Sequence, residues 1–420
     1  MTAVHPHAIP CFALLALLAA TPAVAQQDTA QQRRQQPRER QSSDGNEEAQ
    51  ARVDNIPLDP AMAGFFSLPG TNWRMRIGGY AKTDAMYDTR PAGLPDLFVT
   101  SSIPTGDPPA GEGSSYNMHV RQTRLSLDVR RPSQLGGDLR VYLEGDLYGP
   151  GGTTQPNLRH AYIQAANLLV GRTFSTFMDV DALPDGVDFE GPPSSLFVLA
   201  AQVRYTRPFG ERWSVAFAAE QPSTDFAVPP GGTPVTSLPD IVVRPRYEAP
   251  WGHVQLAGVV RRLGYNDGLP GSNSATAYGL HASALLAATR RDNVSAGGIW
   301  GEGVAHYTVD FGGIGLDAAV DAGGTFQALP LYGWYVSLQH LFSPRYRGVA
   351  TTGWLRVEPT NAQPATTTSR TQYGSLAFIW TPRPTVDFGF TAIYGEHHTV
   401  NGSMGHAWRY QGAIQLYIAQ

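Results

Sequence analysis

Seven basic side chains stand where charge could select a passing solute: Lys82, Arg124, Arg130, Arg140, Arg159, Arg172 and Arg204. A guanidinium is a rigid fork of N–H donors that pairs two-point with a carboxylate and keeps its charge at any physiological pH. A second group, Phe174, Phe177, Asp179, Asp181, Asp185, Asp188 and Glu190, falls in one stretch, FSTFMDVDALPDGVDFEGPPSS, which is neither uniformly polar nor strand-like. Guanidiniums set against carboxylates make a transverse field, and rings of charge are one recognised basis of selectivity in a pore. Any one of these arginines could equally be an interior charge satisfied by Glu144, Asp146 or a loop acid.

The histidines support other chemistry less well. A barrel-borne hydrolase needs a Ser–His pair oriented by a third polar group. His160, His253, His281 and His340 sit in no such motif, and His340 falls on the apolar phase of its segment. His397, His398 and His406 cluster near Glu396, a thin ligand set for a metal. No cofactor, metal or nucleic-acid partner is expected, and an enzyme is the weaker alternative.

The elements that must position these groups show a period of two. Trp73, Met75, Ile77 and Gly79 alternate with Arg74, Arg76, Tyr80, Lys82 and Asp84, and Leu139, Val141 and Leu143 alternate with Arg140, Tyr142 and Glu144. The same phase recurs at Trp213–Phe217, Trp334–Gln339, Val386–Thr391 and Arg409–Ile418. One face of each segment therefore meets something apolar and the other something polar. Leu125, Leu127 and Val129 on the outer phase put Arg124 and Arg130 inside, and Arg140 and Arg204 follow on strands three and six.

Connection lengths choose between a soluble sandwich and a membrane barrel. Short turns at 131–136, 165–167, 208–210, 249–252, 289–292, 343–344 and 381–384 alternate with longer Gly/Pro/Ser/Asp-rich links at 89–116, 150–156, 174–198, 222–239, 264–275, 305–330, 358–370 and 397–405. Short turns on one side and long loops on the other mark an outer-membrane barrel. The count predicts an all-β transmembrane antiparallel barrel of about sixteen strands over 73–420 around a polar pore, with a further hairpin conceivable in 305–330. By its position, 174–198 is the third external loop, the one that in general porins folds into the lumen and narrows it.

The ends agree with export. Cys11–Ala20 is an apolar run of signal-peptide length, and Ala23-Val24-Ala25 offers a small-x-small cleavage site. Residues 1–25 are read as a signal peptide, which removes the one cysteine, and 26–72 as a disordered periplasmic leader and connecting segment. Within that segment Phe65, Phe66 and Pro69 could plug or brace the periplasmic mouth. The chain ends on Gln420 in place of the aromatic residue that the barrel-assembly machinery commonly reads.

Several stretches carry a family resemblance: RIGGYAKTDAMYD (76–88), RQTRLSLDV (121–129), VYLEGDLYG (141–149), LRHAYIQ (158–164) and above all VGRTFSTFMDVDALPDGVDFEGP (170–192). Over roughly 64–210 the chain resembles DcaP-type outer-membrane porins of Gram-negative bacteria. The resemblance implies a homotrimer of barrels embedded in outer-membrane lipid and lipopolysaccharide, taking up small organic anions such as dicarboxylates. It makes Arg124, Arg159 and Arg172 the first candidates for anion contacts. The family's amino-terminal coiled coil is not expected, because the leader has no heptads and contains Pro37. A carbohydrate-selective pore, with Phe174, Phe177, Tyr142 and Tyr162 as a stacking path, is the rival within the channel class.

Overall fold

The computed structural model describes residues 64–106, 113–133, 138–229, 231–268 and 273–418. The signal peptide and most of the leader lie outside these residues. Sixteen antiparallel strands follow one another around a closed sheet: β1 Arg74–Asp88; β2 in two pieces, Ser115–His119 and Arg124–Pro132; β3 Asp138–Tyr148; β4 Thr154–Ala165; β5 Leu168–Phe174; β6 Leu199–Phe209; β7 Trp213–Glu220; β8 Asp240–Ala249; β9 Gly252–Asn266; β10 Asn273–Ala287; β11 Asp292–Glu302; β12 Pro330–Ser343; β13 Tyr346–Val357; β14 Thr368–Arg383; β15 Val386–Thr399; β16 Met404–Tyr417. β16 closes onto β1, with Tyr80 opposite Tyr417 and Asp88 opposite Arg409. Closure leaves no sheet edge unpaired, as a strand-built membrane protein requires.

The period of two becomes an inside and an outside. On β6, Val203 and Tyr205 are exposed while Gln202, Arg204 and Thr206 are buried. Exposed aromatic residues form two bands. Phe209, Trp213, Trp251, Phe342, Tyr346, Trp380 and Phe388 lie beside the short turns, and Tyr87, Tyr116, Trp300, Trp334 and Trp408 lie toward the long loops. Such girdles sit at the two water–lipid interfaces, with short turns periplasmic and long loops external. β5 and β7, at 7 and 8 residues, are shorter than their neighbours β4, β6 and β8, at 12, 11 and 10.

The long connections are L1 (89–114), L2 (149–153), L3 (175–198), L4 (221–239), L5 (267–272), L6 (303–329), L7 (358–367) and L8 (400–403). L6 does hide a hairpin, Ala318–Val320 with Phe326–Ala328, but it forms its own two-stranded sheet and leaves the barrel at sixteen. Before β1, Phe66 and Ser67 pair with Met75 and Arg74, and the Phe65 ring lies under Arg76 and Arg130. That part of the connecting segment braces the periplasmic end of β1 and β2.

The interior is not polar throughout. Phe177, Met178, Val180 and Leu196 of L3 and Val304, Tyr307, Phe311, Leu316 and Leu329 of L6 share one buried apolar cluster with inward positions of the wall: Val242, Ala257, Val259, Ile299, Leu331 and Leu355. Phe98 and Ile103 of L1 pack likewise on Tyr373, Ile393 and Ala407, and Val187 of L3 packs on Val349, Ile379 and Ala413. From β8 to β16 the inner wall therefore carries apolar seats for loops, whereas β1–β4 keep a charged inner face.

The loops also bond to one another. Phe197 N–H donates to Tyr307 O (3.0 Å), Val309 N–H to Ser195 O (2.9 Å), and Ser101 N–H to Asp310 Oδ1 (3.0 Å). Gly313 and Gly315 N–H donate to Asp225 of L4, each at 2.8 Å. Where loops press on the wall the strand carries glycine: a Cβ at Gly405 would stand 1.9 Å from Pro104 O, and one at Gly389 would stand 2.6 Å from a Val187 methyl. Gly405→Val should therefore unseat L1 at a cost of about 1–3 kcal/mol and lower the apparent unfolding temperature. Gly412→Val, where a Cβ meets nothing within 4 Å, should not; equal melting of the two variants would refute the seat.

Candidate functional site

The inner face of β2–β4 holds a compact guanidinium cluster. Arg130 and Arg140 both grip Asp128, through contacts of 2.7–3.0 Å. Arg124 and Arg159 approach Glu144 at 3.3 and 2.9 Å, and Arg159 also reaches Asp146 at 3.3 Å. Four guanidiniums thus share three carboxylates. Each of the four is also laid on an aromatic ring: Arg124 on Tyr80, Arg130 on Phe65, Arg140 on Tyr142 and Tyr162, and Arg159 on Phe174 and Phe197. Arg204 on β6 has Glu220 as a charge neighbour. On β1, Lys82 Nζ donates to Gln122 Oε1 (2.5 Å) and to Val187 O of L3 (3.0 Å), with Asp84 at 3.4 Å. Arg124, Arg140, Arg159 and Arg204 are 4, 3, 2 and 1 % exposed, so little of any of them is open to contact.

The acids of L3 do not face this cluster. Asp179 accepts from Arg246 Nη1 (3.1 Å) and Ser283 Oγ (2.7 Å) and lies 2.8 Å from His253 Nε2; Asp181 accepts from Arg246 Nη2 (2.6 Å). Asp185 accepts from Arg347 Nε and Gln339 Nε2, each at 2.7 Å. These partners project from β8, β9, β10, β12 and β13, near the periplasmic ends of those strands. Burial disfavours the Asp179 anion, but His253 and Arg246 outweigh it and hold the carboxyl well below the usual range. The other two L3 acids are driven the opposite way. Burial raises Asp188 despite donors from Gly191 N–H and Tyr373 OH, while burial and then the neighbouring Asp188 and Asp310 push Glu190 up to about 8.

The expected opposition of basic wall and acidic loop is therefore replaced by two separate neutralisations. Wall arginines are paired by wall acids, and loop acids are paired by other arginines or carry raised pKa values. Pairing adjacent buried charges costs less than holding them apart across a bore in a low dielectric.

Arg172 differs from the other basic residues. It shares the register of the exposed Leu168 and Val170, yet at the external end of β5 it meets loops, and it lines a cavity of about 740 Å³ with Glu190, Glu220, Asp225 and the 306–309 and 312–313 stretches of L6. It is half-buried, its charged neighbour is Arg159, and among the described residues no carboxylate lies within ion-pair distance of it.

The anchors Arg246, Arg347, Arg261 and Arg409 were missed by reading the arginine row only as far as strand six. Arg261 binds Asp240 (2.9 Å) and Asp317 of L6 (2.7 Å), and Arg409 binds Asp88 (2.7 Å). The signal was present: the same alternation places all four inward.

The histidines are engaged elsewhere. His160 pairs with Thr173 (3.0 Å) and lies 3.7 Å from Glu144, but His160 and Thr173 are 0 and 1 % exposed, which leaves a substrate no access. His281 packs near Phe177, and His340 bonds Asp292 on the outward register. His397 bonds Ile103 O and Thr368, His398 bonds Arg370 and Glu396, and His406 meets Arg90. Asp179, Asp181 and His253 bring possible ligand atoms within 4.8 Å of one another, but the Arg246 guanidinium already occupies both carboxylates.

Two predictions follow from the anchoring of L3. Arg246→Ala leaves Asp179 and Asp181 without their guanidinium, which should cost about 3–5 kcal/mol and give a larger, noisier single-channel conductance; unchanged conductance would refute the anchor. Glu190 keeps its proton in the docked loop to about pH 8 but loses it near the ordinary carboxyl range once released. Docking should thus be strongest below that range and weaken as pH rises toward 8, by at most about 1.4 kcal/mol per pH unit for one proton. Melting curves from pH 5 to 9 should show that slope, and Glu190→Gln should flatten it.

No curated protein matches the sequence closely enough to count as a relative. Among solved structures, the outer membrane channel DcaP of Acinetobacter baumannii superposes with a TM-score of 0.74 at 20% identity, over 85% of this chain and 100% of that one. The anion-selective porin from Comamonas acidovorans follows at 0.53 and 11% identity, over 82% and 100% of the two chains. OmpT of Vibrio cholerae matches at 0.53 and 9%, over 83% and 99%. At such identities these likenesses speak for the fold, a porin barrel. The family model described as DcaP outer membrane protein matches residues 67–279, which takes in β1 to β9, L3 and the whole guanidinium cluster. The chain is a channel of the Gram-negative outer membrane and belongs to the DcaP outer membrane protein family.

Proposed function

We propose that this channel passes small organic anions, such as dicarboxylates, with L3 as its constriction and Arg172 as the first cation a solute meets. The supporting observation is Arg172 itself: a guanidinium without a carboxylate partner among the described residues, bordering a cavity of about 740 Å³ at the external end. That volume lies within the ~300–1,000 Å³ usual for small-molecule sites. Behind it, the four inward guanidiniums of β2–β4 are matched in number by Asp128, Asp138, Glu144 and Asp146, and the L3 acids are paired away from them, so the reading rests on Arg172. The solved relative from Comamonas acidovorans is described as anion-selective, which agrees with the reading.

The sugar alternative fares worse. Stacking a pyranose needs free ring faces, and guanidiniums already lie on Tyr142, Tyr162 and Phe174. A homotrimer is part of the proposal: OmpT of Vibrio cholerae is described in a trimer form, and the aromatic outer face suits protein contacts as well as lipid.

Planar-bilayer recordings test this. In a salt gradient the wild-type channel should give an anion-biased reversal potential and be blocked by a short-chain dicarboxylate. Arg172→Gln should weaken that block about tenfold, equivalent to about 1.4 kcal/mol. Cation selectivity with block by oligosaccharides would overturn the anion reading, and a total lack of conductance would favour a barrel enzyme.

A further inference from the structure

The charge on the two membrane-facing rims is unequal. Arg207 at the end of β6, Arg212 in the β6–β7 turn, Arg290 and Arg291 in the β10–β11 turn, Arg345 in the β12–β13 turn and Arg383 at the end of β14 are all exposed on the periplasmic rim. The acids in those same turns scarcely offset them. Glu211 is exposed, while Asp292 is held by Thr289 and His340. Toward the external end, among the described residues, the exposed arginines are Arg90 and Arg356.

The periplasmic arginines also stand at a defined depth. Four of the six lie within a few residues of an exposed aromatic: Arg207 on Phe209 (5.5 Å), Arg212 beside Trp213 and bonded to Tyr247 OH (3.3 Å), Arg345 beside Tyr346, and Arg383 near Trp380. Aromatic belts mark the boundary between hydrocarbon and headgroups, and long cationic side chains just beyond such a belt reach the phosphate level. A guanidinium pairs two-point with a phosphate as it does with a carboxylate.

We propose that this rim is a binding surface for anionic phospholipid headgroups of the periplasmic leaflet, a phosphatidylglycerol or cardiolipin collar. The surface is independent of the bore: none of the six arginines takes part in the loop anchors or the guanidinium cluster. A cell-wall partner with carboxylate-bearing peptide stems would share the charge complementarity. The belt-level position favours lipid, because such a partner would be met beyond the rim and would not need the aromatic neighbours.

Native mass spectrometry of the full-length protein released from detergent tests the collar. Wild-type protein should retain phosphatidylglycerol or cardiolipin over phosphatidylcholine, with occupancy falling as salt is raised. A variant with Arg207, Arg212, Arg290, Arg291, Arg345 and Arg383 changed to Gln should lose at least fivefold of that occupancy, whereas Arg90→Gln with Arg356→Gln should keep it. Equal retention of anionic and zwitterionic lipid by the wild type would overturn the proposal, and this arm needs no variant to fold. Sedimentation with purified peptidoglycan that the six-site change abolishes, without any headgroup preference, would overturn it in favour of the cell wall.

Discussion

A backbone inside hydrocarbon has no water to bond, so every N–H and C=O must find a partner in the chain itself. Here that demand is met by joining β16 to β1. A closed wall of sixteen strands is of the size that leaves an aqueous channel unless something fills it. L1, L3 and L6 pack against inward-phase residues of that wall. They are held by two devices at once. Apolar side chains seat in patches on β8–β16, and a few ion pairs fix depth and register, with Arg246 and Arg347 gripping L3 and Arg261 gripping L6.

This division of labour explains the asymmetry of the interior. The side that carries loops is apolar enough to bury them. The β2–β4 side keeps its guanidiniums concentrated, each steadied by a shared carboxylate or an aromatic ring. Charges at a few per cent exposure in a low-dielectric wall are poorly screened by water, so each needs such a partner. Arg172 complements the cluster because it stands where L3, L4 and L6 leave space.

The barrel was legible because its two signals, period two along the strands and alternating loop lengths, are local and recur along the chain. The hairpin in L6 and the brace at Phe65 were also within reach, the first from the length of its connection and the second from the aromatic pair Phe65 and Phe66. The placement of the L3 acids was not. Local sequence shows that Asp179 and Asp185 are near each other, but their partners Arg246 and Arg347 are brought to them by closure of the sheet, and an alternative row of arginines was nearer in the chain. Inner-face glycines such as Gly389 and Gly405 looked like ordinary breaks in a strand, yet they mark where loop backbone approaches the wall. The register of Arg172 shows the limit of periodicity: near a strand's end, outward no longer means toward lipid.

The short β5 strand has a consequence for the membrane around the protein. At roughly 3.3 Å per residue its 7 residues reach about 23 Å along the chain, and a tilt of about 40° reduces that height to about 18 Å. The apolar band of an outer-membrane barrel is about 25 Å tall, and the 8 residues of β7 leave that flank little taller. Hydrophobic mismatch is thus confined to one sector of an otherwise full-height cylinder. Lipid must thin there, or protein must stand in its place, so the bilayer itself distinguishes this flank from the rest of the wall.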